Sequence, residues 1–478
     1  MASSRGEFEA DKSILPLLRA ERTWGSWQLF FSLSTVAAAT WCYIIGEYVG
    51  YYLGLKQSFA TLIAGSMIGI SLVILALGSV CLRYGIDTIA SSRIQFGTKG
   101  WVFPFILQYA SIFGWNCLLL IFFGKSLVQF LVSGGMLSAG DHTWLQTAAT
   151  LGACTIAFLV LMRGVDGVDR LAKILVVHVV VGLWMLWLIV DQRWETLLVA
   201  TPQFANPNPQ WNYTTGIELA IAPALSWWSY YGAMVRNAPS ARVATLPAMV
   251  GFGLVVGLLS MVGAAGILAV QISDPAEWMR EIGGQRYATI ALAFVTAANL
   301  GTSVAGIYCS AVGLRHYERL RSMRWEVMLA LALGPVIVAA VFVPNLVFDN
   351  FSTFLALISV AFAPVCGIQI VDYYVLRRQE ISLAAVYERG GRTDYRYWNG
   401  INPAAIVGMV AGVGTFLSLL NPLSFESSGL YPFTTASIPA AFAAGLAYWL
   451  VTKLLVIPAG KGGYTPSKHV NTAKGETV

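Results

Sequence analysis

Twelve long apolar runs govern what this chain can become. They lie roughly at 27–53, 59–82, 101–132, 145–162, 171–191, 214–234, 244–271, 288–314, 326–345, 351–376, 402–420 and 433–452, and are numbered here as spans 1–12. A helix crosses the apolar core of a bilayer in about 20 residues. Lipid offers the backbone no hydrogen bonds, so such runs must form helices or a closed barrel. Barrel strands would be about 10 residues long and strictly alternating; these runs are too long and too uniformly apolar. The expectation is an all-α integral membrane protein with twelve transmembrane helices. Composition agrees: 57% of the 478 residues are hydrophobic and 11% charged, against about 25% charged in a soluble protein. Cytosolic enzymes, disordered and fibrous chains and disulfide scaffolds are thereby excluded.

Basic residues orient the spans. With the N-terminus inside, the inner segments carry 25 Lys and Arg, and the outer ones only Lys56, Arg193, Arg280 and Arg286. Short cytoplasmic loops collect positive charge, so both termini are expected in the cytoplasm and the protein in the plasma (inner) membrane. The net charge of +6 is this loop bias and not a nucleic-acid surface. Residues 1–24 read as a cytoplasmic tail without the apolar core of a cleaved signal, 25–456 as the transporter domain, and 457–478 as a polar, disordered tail. The six cysteines all fall in apolar stretches without metal-ligand spacing, and read as buried thiols.

Ionisable residues inside a bilayer are expensive and often functional. Three sit clearly within spans: Glu47, Lys125 and Glu218, toward the outer ends of spans 1, 3 and 6. They are snorkelling residues, or candidates for gating or proton coupling. His178, in span 5, reads as a satisfied core histidine. No haem-ligand pair, HExxH or catalytic acid pair is present, so the chain is not expected to be an enzyme.

Uncharged polarity says more. In span 8, Thr296, Asn299 and Ser303 share one helical face, and a buried amide in hydrocarbon must be bonded. They are interhelical contacts, or the wall of a cavity for a neutral polar ligand. Span 3 carries Phe113, Trp115 and Asn116 near mid-depth, and span 6 carries Trp227, Trp228, Tyr230 and Tyr231. Interfacial tryptophans form belts, but Trp115 lies too deep for one. Two mid-membrane tryptophans on different helices could sandwich a flat ring. Pro223 interrupts the hydrogen bonds of span 6. Interrupted helices in corresponding positions of two halves mark a transporter site at the midplane.

Three motifs carry a family resemblance. After span 2 the chain reads RYGIDTIASSRIQFGTKG, with Arg83, Gly85, Arg93, Phe96, Gly97 and Gly100. After span 10 it reads APVCGIQIVDYYVLRRQEISL, with Pro364, Gly367, Asp372, Tyr373, Arg377 and Arg378. Tyr397-Trp398 and Asn402-Pro403 then open span 11. In this order and at these spans the motifs resemble the nucleobase:cation symporter-1 family, over nearly the whole chain from Arg22. The resemblance implies a leucine-transporter-like fold, with spans 1–5 and 6–10 as inverted repeats and 11 and 12 peripheral. It implies import, by alternating access, of a planar nitrogen heterocycle such as a purine or pyrimidine base. A vitamin-like or nucleoside substrate on the same fold, or a non-transporting sensor, is the alternative.

The family's tryptophan sandwich maps onto Trp115 and Trp228, with Trp227 the neighbouring possibility; Asn116, Asn299 and Ser303 join it. Two positions depart from the hydantoin transporter, where amide side chains stand: here they are about Ala39 and Leu119. The family's sodium site maps onto Thr35 and Ala38 in span 1 and onto Phe294, Ala297 and Ala298 in span 8. Its two hydroxyl ligands become Ala297 and Ala298, and a hard cation wants oxygen ligands. Coupling to protons, or weak dependence on sodium, is therefore expected. No cofactor is expected beyond the co-transported cation. The expected partners are the heterocycle, that cation and the lipid bilayer, with no nucleic acid and a functional monomer.

Overall fold

The computed structural model describes residues 14–37, 39–162, 177–388 and 393–464. Among these residues the protein is all helical, apart from two isolated β-bridges. Eight helices have the length and hydropathy to cross a membrane, nine with the bent pair Ser26–Thr35 and Thr40–Gly50 counted as one span. The remaining expected spans fall short for visible reasons. Span 5, Val177–Val199, carries Asp191, Arg193 and Glu195, and the first residues of its run lie outside the described residues. Span 6 is broken into Pro209–Ser226 (6a) and Trp228–Val235 (6b). Span 11, Pro403–Leu419, is apolar but has only 17 residues.

The helices sort into two groups. Span 1b (Thr40–Gly50), span 2 (Leu55–Tyr84), span 6 and span 7 (Ala241–Val270) pack on one another. Span 3 (Val102–Ser133), span 4 (Thr143–Leu161), span 8 (Pro275–Leu314) and span 9 (Trp325–Phe342) form the second group, with its own apolar core around Cys117, Cys154, Ile307 and Met328. Spans 1–2 thus pair with 6–7, and 3–4 with 8–9, the pattern expected of two five-helix repeats. Span 10 (Phe351–Leu376) lies between the groups, and span 11 and span 12 (Ser437–Val456) pack on each other and on it.

Glycine sets the closest approaches. A Cβ on Gly46 would stand 1.7 Å from the Ser260 carbonyl oxygen, and one on Gly263 would stand 1.8 Å from that of Tyr43. Spans 1b and 7 therefore pack backbone to backbone, as small residues permit in membranes. All six cysteines are buried, and none is in a disulfide.

The three sequence motifs meet at the basic end of the bundle. The Asp372 carboxylate accepts from Arg377 Nε at 2.7 Å, Gln95 Nε2 at 2.9 Å and the hydroxyls of Tyr448 and Tyr464 at 2.9 and 2.7 Å. Tyr397 donates to the Ile94 carbonyl at 2.6 Å and accepts from Arg377 Nη2 at 3.0 Å. Asn402 Nδ2 donates to the Gln95 carbonyl at 2.6 Å. Each motif is thus a partner of the other two, which is a physical reason for their occurring together. Asp87 pairs with His316 at 2.7 Å, and the Arg93 guanidinium lies over the Trp101 ring.

The ends of the chain differ from expectation where they are described. Residues 14–24 are docked: Arg22 donates to the Leu82 carbonyl at 2.6 Å, and Leu17 N–H to that of Gly85 at 2.9 Å. Residues 457–464 are a strap rather than a loose tail. Arg377 Nη1 holds the Gly462 carbonyl at 2.7 Å, and Lys461 donates to the Tyr397 carbonyl at 3.0 Å. Residues 1–13 and 465–478 lie outside the described residues.

Candidate functional site

The break in span 1 creates a local need. The first N–H groups of a helix have no partner within it. Span 1b begins at Thr40, and its N-cap is Ala39, whose side chain cannot cap. Asn299 of span 8 supplies the bond from across the bundle. Its Oδ1 accepts from Thr40 N at 3.0 Å, and its Nδ2 donates to Thr40 Oγ1 at 2.8 Å. In this structure Asn299 is therefore a two-point clamp on the broken helix, not a free edge waiting for a ring.

Span 6 breaks at the matching place. Pro223 lacks an N–H, Ser226 Oγ donates to the Pro223 carbonyl at 2.6 Å, and Trp227 sits between the two halves with φ −67° and ψ −10°. Beside this break lies a small cavity of about 20 Å³, lined by Trp41, Trp115, Leu119, Ser226, Trp227, Tyr230 and Thr302. That is room for about one water, so the aromatic walls are nearly closed on one another. Trp115 Nε1 is buried and has no hydrogen-bond partner among the described residues.

The two span-6 tryptophans face different ways. Trp227 lines the cavity, with its ring 4.3 Å from Phe252 and 5.2 Å from Tyr230. Trp228 points toward span 10, where its Nε1 donates to Gln369 Oε1 at 2.7 Å and its ring lies 5.4 Å from Phe362. Trp227 and not Trp228 thus faces the cavity in this structure, because successive residues on a helix point about 100° apart.

The other expected site residues divide. Leu119 is on the cavity. Asn116 is not: its Nδ2 bonds the Ile112 carbonyl at 2.9 Å, and it abuts Gly306 of span 8. Ser303 is buried, with no partner for its hydroxyl among the described residues, while its neighbour Thr302 lines the cavity. Ala39 is buried at the helix break. Sequence reasoning missed Trp41, Thr40, Ser226 and Thr302. The break in span 1 was the available signal for the first two.

The positions mapped for sodium lie on spans 1 and 8. Thr35 is buried near the end of the first half of span 1, Ser26–Ala37, and Ala38 lies outside the described residues. The Phe294 carbonyl accepts from His178 Nε2. Ala297 is exposed on the surface of span 8, and Ala298 is buried; neither brings a side-chain oxygen. The nearby Thr296 hydroxyl turns to span 3, contacting Ser126 Oγ at 2.9 Å and donating to the Leu292 carbonyl at 2.7 Å.

The three intramembrane charges have separate partners. Lys125 pairs with Asp274 at 2.8 Å and lies over the Phe348 ring. Glu47 accepts from Trp278 Nε1 at 2.6 Å, joining span 1b to span 8. Glu218 caps span 12: it accepts from the N–H groups of Ala436 and Ser437 at 2.9 and 3.1 Å and from the Ser437 hydroxyl. A carboxylate at a helix N-terminus is stabilising there, so Glu218 already has a structural role.

Two broken helices facing one aromatic cavity, held between two four-helix groups, define a secondary transporter. The chain belongs to the family of permeases for cytosine and purines, uracil, thiamine and allantoin, whose model matches residues 16–436. It is 24% identical to the purine-uracil permease NCS1 of Arabidopsis thaliana, over 92% of this chain and 77% of the relative. It is 24% identical to the hydantoin permease of Microbacterium maritypicum, over 89% and 87%. Among solved structures, Mhp1, a nucleobase-cation-symport-1 family transporter, superposes with TM-score 0.73 in a closed conformation with bromovinylhydantoin bound. That match has 19% identity and covers 92% of this chain and 95% of Mhp1. The inward-facing conformation of Mhp1 gives TM-score 0.75 at 18% identity, covering 92% and 94%. The protein is a multi-pass membrane transporter of small heterocycles with the leucine-transporter-like fold, and not an enzyme.

Proposed function

We propose that the protein imports a planar nitrogen heterocycle held between Trp115 and Trp227, at the point where spans 1 and 6 break. The observation that carries this reading is the single cavity onto which both tryptophans and both breaks open. A flat ring between indole faces gains stacking and excludes water. Trp115 Nε1, Tyr230 and Thr302 bring polar atoms to a lining without carboxylates, which suits a neutral ring. The breaks supply the hinge that alternating access requires.

Coupling follows from the same residues. The span-8 positions offer methyl groups where a sodium site needs hydroxyls, so transport runs without sodium, driven by protons or by the gradient of the ring itself. Of the three intramembrane charges, Glu47 is the best placed to sense a proton. It bridges span 1b to span 8 through one hydrogen bond and stands beside the Lys125–Asp274 pair. The basic end faces the cytoplasm with both termini, the membrane is the plasma membrane, and the monomer is the working unit.

The test is a thermal-shift panel on the purified protein, using pyrimidines, purines, hydantoin, allantoin and thiamine, each with and without sodium. A ligand that binds only the folded state raises its stability by mass action. A shift for at least one ring, equal in sodium and in choline, is the expected result. Silence across the panel, with a sharp melt, would remove the substrate class. A shift that appears only in sodium would remove the coupling.

A further inference from the structure

The cavity has a third aromatic wall. Trp41 is the second residue of span 1b and is 2% exposed. Its ring meets Trp115 edge-on, with centroids 5.4 Å apart at 66°, and its other side is stacked on Phe252 at 6.2 Å and 22°. Phe252 in turn packs on Trp227. It stands on the wide π-helical turn Met249–Leu254 of span 7, a distortion that recurs at functional sites. Aromatic contacts therefore run without a gap from one proposed face of the sandwich to the other, and Trp41 is the link between them.

We infer that Trp41 sets the size of ring the site accepts, and that the substrate is a single-ring heterocycle rather than a fused two-ring base. This rests on the reading that the ring lies between Trp115 and Trp227. The indole of Trp41 closes the cavity beside Trp115, so a ring seated against Trp115 meets it on that side. It is not free to drift. The preceding residue, Thr40, is clamped by Asn299 through both its N–H and its hydroxyl, and Cys42 N–H bonds the Ala39 carbonyl at 3.0 Å. Trp115 has no room to retreat either, since Phe351 and Phe354 pack edge-on against it at 5.3 and 5.8 Å. In this closed form the cavity holds about one water, so a ring enters only when its walls part, and Trp41, fixed through its neighbours, is the wall that stays. Selectivity of this kind works by excluding the larger competitor rather than by bonding the smaller one.

The experiment is equilibrium binding by calorimetry on the purified full chain. The single rings are uracil, cytosine and hydantoin; the fused rings are adenine, hypoxanthine and xanthine. The wild type should bind a single ring more tightly than any fused ring. Trp41→Leu should raise fused-ring affinity relative to single-ring affinity by about tenfold or more, and Trp41→Phe by less. The Phe variant keeps an aromatic wall and serves if the Leu variant does not fold. A wild type that prefers fused rings overturns the inference, as does an unchanged ratio in variants that melt like the wild type. Trp115→Ala separates the two readings. If it abolishes all binding while the Trp41 variants leave the ratio unchanged, the size rule alone fails. If it binds as before, or if the wild type binds none of the six rings, the site reading fails and the size rule with it.

Discussion

At the scale of single residues, the structure separates side chains that face the cavity from those that only support it. Trp227→Ala should weaken ring binding by about 1–3 kcal/mol, the usual worth of stacking on an aromatic. Trp228→Phe should leave affinity alone and lower the melting temperature, because Gln369 loses its donor. Calorimetry and a thermal melt on the two variants check both. Asn299→Ala should cost about 1–3 kcal/mol of stability, since it leaves the buried Thr40 N–H without an acceptor; denaturation in detergent measures it. The sequence told part of this. A buried amide had to be bonded, but its partner lies 259 residues away, and no spacing reveals that. Trp227 and Trp228 were inseparable because the break between them resets the helical phase, which the sequence does not show. Trp41 was hidden because a tryptophan in an apolar span is usually read as part of an interfacial belt.

At the scale of helices, packing is decided by backbone contact. Gly263→Ala should lower stability by at least the about 1–3 kcal/mol typical of overpacking, since its methyl group would overlap the Tyr43 carbonyl. A second link joins the loop after span 2 to the end of span 8. Burial alone would raise the Asp87 carboxyl; the charge and hydrogen bond of His316, helped by Arg236 and the Ala90 N–H, more than offset this and hold it below its ordinary range. A carboxyl depressed on folding contributes stability that is complete above its unfolded value, about 3.9, and is lost as pH falls through the folded value. Melting temperature should therefore fall on acidification from about pH 5 to about pH 2. His316→Ala should cost about 1–3 kcal/mol by removing the hydrogen bond to a buried carboxyl group, and show a smaller acid-induced fall. The helices themselves were legible from run length and apolarity, and the break in span 6 from Pro223. The shortness of span 11 and the charged end of span 5 were legible too, but only as departures from an ideal span.

At the scale of the whole molecule, the basic end of the bundle is held by one knot of hydrogen bonds. The Asp372–Arg377 pair gathers residues from spans 10 and 12, the loop before span 3, the loop before span 11 and the terminal strap. Ending the chain at Pro458 should lower stability by about 1–3 kcal/mol, because Asp372 and Arg377 lose Tyr464 and Gly462. A melt of the truncated chain against the full one checks it. The motifs that carry this knot could be read in the sequence as a resemblance. Their mutual contacts could not, because each contact joins segments far apart in the chain. The strap was misjudged for a related reason: its residues are polar and glycine-rich, and only their distant partners order them.

The six buried cysteines give this transporter a silent background for chemistry. A thiol reagent added from water meets no exposed sulfur in this form. One cysteine placed on an exposed loop would therefore carry a spin label or dye by itself, with the native residues left in place. The motion of the two helix groups could then be followed in a protein otherwise unchanged. A native thiol that begins to react when a ring is added would report, without any engineered residue, which buried surface the working cycle opens to water.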